Sequence, residues 1–144
     1  MIRQFLFGGA VSTVNIALHA LVMTVVMQVA RNASARSKSH ASQHLVLLMI
    51  PTVLVLMMTH ALEVVVWGIA YWLVDAAPVG TDRVYFAFVN YTTLGYGDVV
   101  PVVRWRLLGP ITAMNGVLLF GWSTAVIFEV LRRALERERD ARRR

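Results

Sequence analysis

From residue 92 to residue 98 the chain reads Thr-Thr-Leu-Gly-Tyr-Gly-Asp. Glycines two residues apart give the backbone two positions where φ > 0 costs little, a conformation that other residues resist. A segment with that freedom can turn successive carbonyl oxygens towards one side. Four copies around a common axis would stack those oxygens into rings able to replace the water shell of a dehydrated cation. The chemistry such a stretch offers is cation coordination by backbone atoms. Just before it, Thr81 or Asp82 can cap a short helix over about ten residues. That helix is roughly 15 Å long, half of a hydrocarbon core. A half-length helix followed by non-helical backbone is tolerated at membrane depth only where protein or water surrounds it.

The rest of the chain supplies the membrane. Its 144 residues are 58% hydrophobic, and its mean hydropathy is +0.62. Three apolar runs, Phe5–Ala30, Leu45–Val74 and Leu107–Leu131, reach the ~20 residues that a spanning helix needs. There is no cysteine, which excludes disulfides, thiolate catalysis and cysteine metal sites. The sequence has no carboxylate pair in a soluble cleft, no nucleophile motif and no phosphate-binding glycine loop, so no enzyme is expected. The net charge of +6 sits mainly in Arg31–Lys38 and Arg132–Arg144, each directly after an apolar run. That is the positive-inside pattern, and it points to anionic lipid rather than nucleic acid as the partner of the basic segments. With both clusters cytoplasmic, the N-terminus lies outside, the glycine stretch faces the exterior and the C-terminus is cytoplasmic. A signal peptide cleaved near Ala33-Ser34-Ala35 is the alternative for the first run. Its apolar length, the presence of Asn15 and His19 within it, and the orientation that cleavage would leave all favour a retained helix.

Residues from about Ala61 to Arg132 resemble the pore domain of the potassium-channel superfamily, above all at Thr93-Leu94-Gly95-Tyr96-Gly97-Asp98. The resemblance implies an all-α membrane protein with three transmembrane helices, a re-entrant pore helix and a selectivity-filter loop per subunit, four subunits forming the pore. Residues 1–44 would be an added helix and basic linker, and 133–144 a basic tail. Residues 45–132 would be the pore domain, with outer helix 45–74, pore helix 82–92, filter 93–98 and inner helix 107–132. By the same resemblance, the carbonyls of Thr93, Leu94, Gly95 and Tyr96 and the Thr93 hydroxyl coordinate K⁺, and Gly97 completes the filter. Leu94 stands where Val or Ile is more usual. Tyr96, with Tyr85 and Phe86, would buttress the ring, and Asp98 would concentrate cations at the outer mouth. Val89 occupies a position where some relatives carry a glutamate bonded to the equivalent of Asp98, so this loop must be held in another way. Gly116, Phe120 and Gly121 resemble the hinge region of the inner helix once one residue of the preceding loop is left out of register. That alignment turns Val117, Phe120 and Thr124 towards the cavity. Gly116 is then either a gating hinge or a site of close helix packing.

The function implied is passive, K⁺-selective conduction by a homotetramer, with permeant K⁺ as the bound species. The alternatives are a weakly selective cation channel and a non-conducting regulatory subunit. No helix has arginine at every third position, so no voltage sensor of the known type is expected. The small size and simple architecture suggest a bacterial inner membrane protein.

Several positions call for a structural answer. His60 and Glu63 lie three residues apart on one helical face, inside a membrane span. They are either a structural hydrogen bond, for instance to Asn15, His19 or Tyr71, or a proton-sensitive switch. Pro51 should kink the second helix or mark its start. Trp67, Tyr71 and Trp72 suit a membrane–water interface. Residues 31–44 read as a polar, mobile linker, and Glu129 as the ion-pair partner of Arg132 and Arg133.

Overall fold

The computed structural model describes residues 1–36 and 41–142. It is all-helical among the described residues: α1 (Ile2–Arg36), α2 (Ala41–Leu73), α3 (Arg83–Tyr91), a 3₁₀ turn (Val103–Trp105) and α4 (Leu108–Arg142). The segments Ile2–Asn32, Val46–Leu73 and Val103–Glu136 are each long and apolar enough to cross a membrane. This is the architecture of an all-α integral membrane protein.

The long helices overrun the apolar runs at their polar ends. Residues 31–44 contain neither Gly nor Pro, so nothing local stops α1 before Arg36 or delays α2 beyond Ala41. Most of the expected linker is therefore helix, and only 37–40 lie outside the described residues. Pro51 does not mark the start of α2, because ten residues of that helix precede it. Near the proline, the Thr52 hydroxyl donates to the Leu48 carbonyl at 2.7 Å. The charged tail extends α4 through Arg142. Its arginines pair along the helix, Arg132 with Glu129 and Glu136 and Arg133 with Glu129, which confirms the expected ion pair.

α1 packs against both α4 and α2, and α3 is wedged between α2 and α4. At one end of the bundle the Leu107 amide donates to Gln4 Oε1 at 2.8 Å and Phe7 stacks on Trp105. Residue 1 thus lies at the same end as the loops around α3. An apolar core fills that end, with Trp67, Tyr71, Phe86, Tyr91, Leu108 and Ile111. A second core, including Met23, Leu56, Val126 and Val130, fills the end that carries Arg31, Arg132 and Arg133. Polar residues of the spans turn inward between them: Asn15, His19, Glu63, Asn115 and Ser123 are all buried. Polar groups in hydrocarbon need protein partners, which explains their placement.

Candidate functional site: the end of α3 and the stretch that follows

α3 is nine residues long. Asp82 caps it, its Oδ1 accepting from the Val84 and Tyr85 amides at 2.8 and 3.2 Å. At the other end the Thr93 amide donates to Asn90 O, and the Leu94 amide to Val89 O. Thr93 has φ +60°. This pair of bonds around a left-handed residue is a Schellman closure, which uses up the carbonyls that a helix end leaves unpaired. Non-glycine residues seldom take that conformation, so the chain accepts strain here.

The strain begins a pattern. φ is positive at Thr93, at Gly95 (+60°) and at Gly97 (+80°), but not at Leu94 or Tyr96. In an extended strand successive carbonyls point opposite ways; alternating the sign of φ is what brings them to one side. At Gly97 a Cβ would meet nothing within 4 Å, and at Gly95 only the Thr93 carbonyl at 3.7 Å. Backbone conformation, not crowding, therefore demands glycine at both positions.

Around this stretch the residues singled out from sequence find distinct places. Tyr85 donates its hydroxyl to Asp98 Oδ2 at 2.6 Å. It thereby provides the tie between short helix and loop that Val89, buried and apolar, cannot. The bond to Asp98 also holds the Tyr85 phenol above its ordinary pKa. Phe86 is fully buried and stacks on Tyr71, with centroids 4.8 Å apart. Tyr96, expected to buttress the stretch, is 71% exposed in the single chain, so its own α3 does not pack against it.

On α4, Gly116 lies in close contact with the end of α3. A Cβ there would fall on the Tyr91 carbonyl oxygen, and Tyr91 Cδ1 lies 3.3 Å away. The glycine lets α4 lie directly against the last residue of α3, which is close packing. Gly121 meets nothing within 4 Å. Val117 and Thr124 are exposed, as residues lining a shared cavity would be in one chain, and Thr124 donates to the Phe120 carbonyl. Phe120 instead packs one face inward, its ring 4.5 Å from His60 and 5.4 Å from Tyr91.

Trp67 and Tyr71 are a correction. Both are fully buried, Trp67 Nε1 donating to Asn115 Oδ1 at 3.0 Å and the Tyr71 hydroxyl lying 2.6 Å from Thr112 Oγ1. Only Trp72 faces outward. Helix-long hydrophobicity gave no sign of which face of α2 would be covered by α3 and α4.

His60 and Glu63 do sit together, at 2.9 Å, and the pair is larger than expected. His19 of α1 lies 2.8 Å from the other oxygen of Glu63, and the Tyr91 hydroxyl donates to Glu63 Oε2. Asn15, one turn before His19, donates to the Glu63 carbonyl and to Asn115 Oδ1. The first helix is thus tied to α2 and α4 by buried hydrogen bonds rather than lying apart from them. A signal was present in the sequence: Asn15 and His19, four apart, lie on one helical face within the span of α1.

The sequence profile of a family described as ion channel matches residues 59–133, just over half of the chain. The matched stretch runs through His60, Glu63, α3, the glycine stretch and most of α4, and leaves out α1. No curated protein and no solved structure gives a significant match. The chain belongs to this ion channel family.

Proposed function

We propose that the protein is a K⁺-selective channel subunit that conducts passively as a homotetramer. The observation that carries this reading is the alternation of φ sign at Thr93, Gly95 and Gly97, beginning at the closed end of a half-length helix. It suits a ladder of inward carbonyls from Thr93, Leu94, Gly95 and Tyr96, fixed dipoles that take over a cation's hydration without a net charge to trap it. The C-terminal end of α3, partially negative, would favour a cation below the ladder. Asp98 would draw cations to the mouth.

Assembly follows from the same stretch. Residues 92–98 are non-helical and exposed in the single chain. Non-helical backbone cannot face lipid, so other copies of the chain and a water-filled axis must cover it. Neighbouring copies would also cover Tyr96. Basic residues of α1 and α4 share the end of the bundle away from the loops, which supports a cytoplasmic placement for them and an outer one for residue 1. Anionic lipid headgroups would be their partners in a bacterial inner membrane.

The test is K⁺ against Na⁺ flux through purified protein in liposomes, with barium as blocker. K⁺-selective, barium-sensitive flux is expected. Equal passage of both ions would replace the reading with a weakly selective cation channel, and tetramers without flux with a regulatory subunit.

A further inference from the structure

Behind the last turn of α3, three helices converge on one carboxylate. Glu63 is fully buried; His19 Nδ1 lies 2.8 Å from Oε1 and His60 Nδ1 2.9 Å from Oε2. His60 Nδ1 is also 2.9 Å from the Tyr91 oxygen, and the Tyr91 hydroxyl donates to Oε2. On the far side of both imidazoles stands Ser123, its Oγ 2.9 Å from His60 Nε2 and 3.5 Å from His19 Nε2. The four side chains close a ring of carboxylate, imidazole, hydroxyl and imidazole.

Hydrogens can be counted around it. An ionised carboxylate only accepts, so both Nδ1 atoms carry N–H. Both Nε2 atoms then share one hydroxyl, which has a single hydrogen. If both imidazoles are neutral, one Nε2 lone pair finds no donor in the ring. If one is protonated, Ser123 donates to the neutral Nε2 and accepts from the charged one, and every polar atom of the ring is used. If both are protonated, the hydroxyl hydrogen has no acceptor in the ring. Charge selects the same state, because one imidazolium balances one carboxylate and an unbalanced charge inside a membrane protein is costly. The groups facing the ring add no charge: α1 presents Asn15 besides His19, α3 presents Tyr91, and α4 presents Asn115, Phe120, Trp122 and Ser123.

We infer that His19, His60, Glu63 and Ser123 form a one-proton site that positions Tyr91, and that conduction follows its occupancy. The link to conduction rests on the channel reading above. Tyr91 is the last residue of α3; its hydroxyl hangs on Glu63, its carbonyl lies under Gly116, and Thr92 and Thr93 follow it. Loss of the proton, or gain of a second, leaves a net buried charge and takes a ring partner from an Nε2 or from the Ser123 hydroxyl, so the ring that orients Glu63, and through it Tyr91, no longer closes. Flux is therefore highest with one proton bound and falls on both sides. Tyr91 and Glu63 act as positioning residues, and His19 gives α1 a part in conduction. His19, His60 and Glu63 also lie close enough to ligate a metal, their ligand atoms within 4.8 Å of one another. The nitrogen–oxygen separations of 2.8 and 2.9 Å are those of hydrogen bonds, however, and both carboxylate oxygens are occupied.

Two measurements test this. Nitrogen-15 NMR of histidine-labelled protein, assigned with His19→Gln and His60→Gln, should find one ring imidazole cationic and the other neutral at about pH 7. Both neutral or both cationic overturns the site. In liposomes, wild-type K⁺ flux should be bell-shaped between about pH 5 and 9. Tyr91→Phe, which keeps the aromatic packing, should lower flux about tenfold at the maximum and flatten the bell. Wild-type flux and profile in Tyr91→Phe overturns the positioning role. Should that variant fail to assemble, Ser123→Ala carries the test: the bell should move, and an unmoved one overturns the inference. Flux that responds to zinc or a chelator in wild type but not in His19→Gln would make this a metal site instead. If wild type passes no K⁺, the channel reading falls, and the NMR result still decides the proton site.

Discussion

The glycine stretch and the ring behind Tyr91 adjoin the same helix end and are built on opposite terms. The stretch is exposed, non-helical and local: seven consecutive residues, with a conformation set by the sign of φ at Thr93, Gly95 and Gly97. The ring is largely buried and assembled from side chains of three helices, with residues as far apart as His19 and Ser123. A site made of backbone is specified by where glycine stands. A site made of side chains is specified by how many protons and partners its atoms can share. Tyr91 joins the two, its hydroxyl hanging on Glu63 of the ring and its backbone leading directly into Thr92.

The largest effect should come from the backbone side. Gly95→Ala and Gly97→Ala force an L side chain into left-handed backbone with free space around it, so the loss is conformational. We expect K⁺-selective flux to be abolished in both while oligomers still form. Selective currents of normal size from either variant would break the comparison at its root.

Next comes the shared boundary. A methyl at Gly116 meets a backbone oxygen that cannot rotate away. Gly116→Ala should cost about 1–3 kcal/mol, read as a lower unfolding temperature in detergent. If Gly116 served only as a hinge, alanine would instead stabilise α4 by up to about 1 kcal/mol. The sign of the shift decides between them.

A smaller loss is expected on the side-chain side. Trp67→Phe keeps most of the aromatic volume and removes the donor to Asn115, for about 1 kcal/mol of stability. No change would mean that this buried polar layer is held by packing alone.

Smallest is the exposed tie between Tyr85 and Asp98. Because the Tyr85 pKa is raised from 10.0 by that bond, its contribution is complete below the ordinary tyrosine range and disappears as pH rises through the raised value. In an ultraviolet titration of tyrosinate, Asp98→Asn should restore one of the late-ionising tyrosines to the ordinary range and leave the others in place. A titration unchanged by Asp98→Asn would remove the tie.

Much of the fold was readable in advance, because hydrophobic length is a one-dimensional property. The three spans, the half-length helix and its Asp82 cap all follow from runs and residue types. Their polar ends were drawn too short, since a run of Ser, Ala and Arg without Gly or Pro stays helical even where hydropathy fails. The glycine stretch was equally open to reading. The faces were not. Trp67 and Tyr71 have the composition of interfacial residues and the environment of a core, a difference that only neighbouring helices create.

By itself, then, the sequence determined that this is a membrane protein and where its glycine stretch falls, because spans and glycine positions are local properties of the chain. Only the tertiary structure decided that Tyr85 holds Asp98 where Val89 cannot, and that Gly116 is a packing contact. It alone placed His19 beside Glu63 across 44 residues of sequence. Helical periodicity gives each residue a face, but which faces meet depends on the rotation and register of whole helices, and those are set by the packing of all four together.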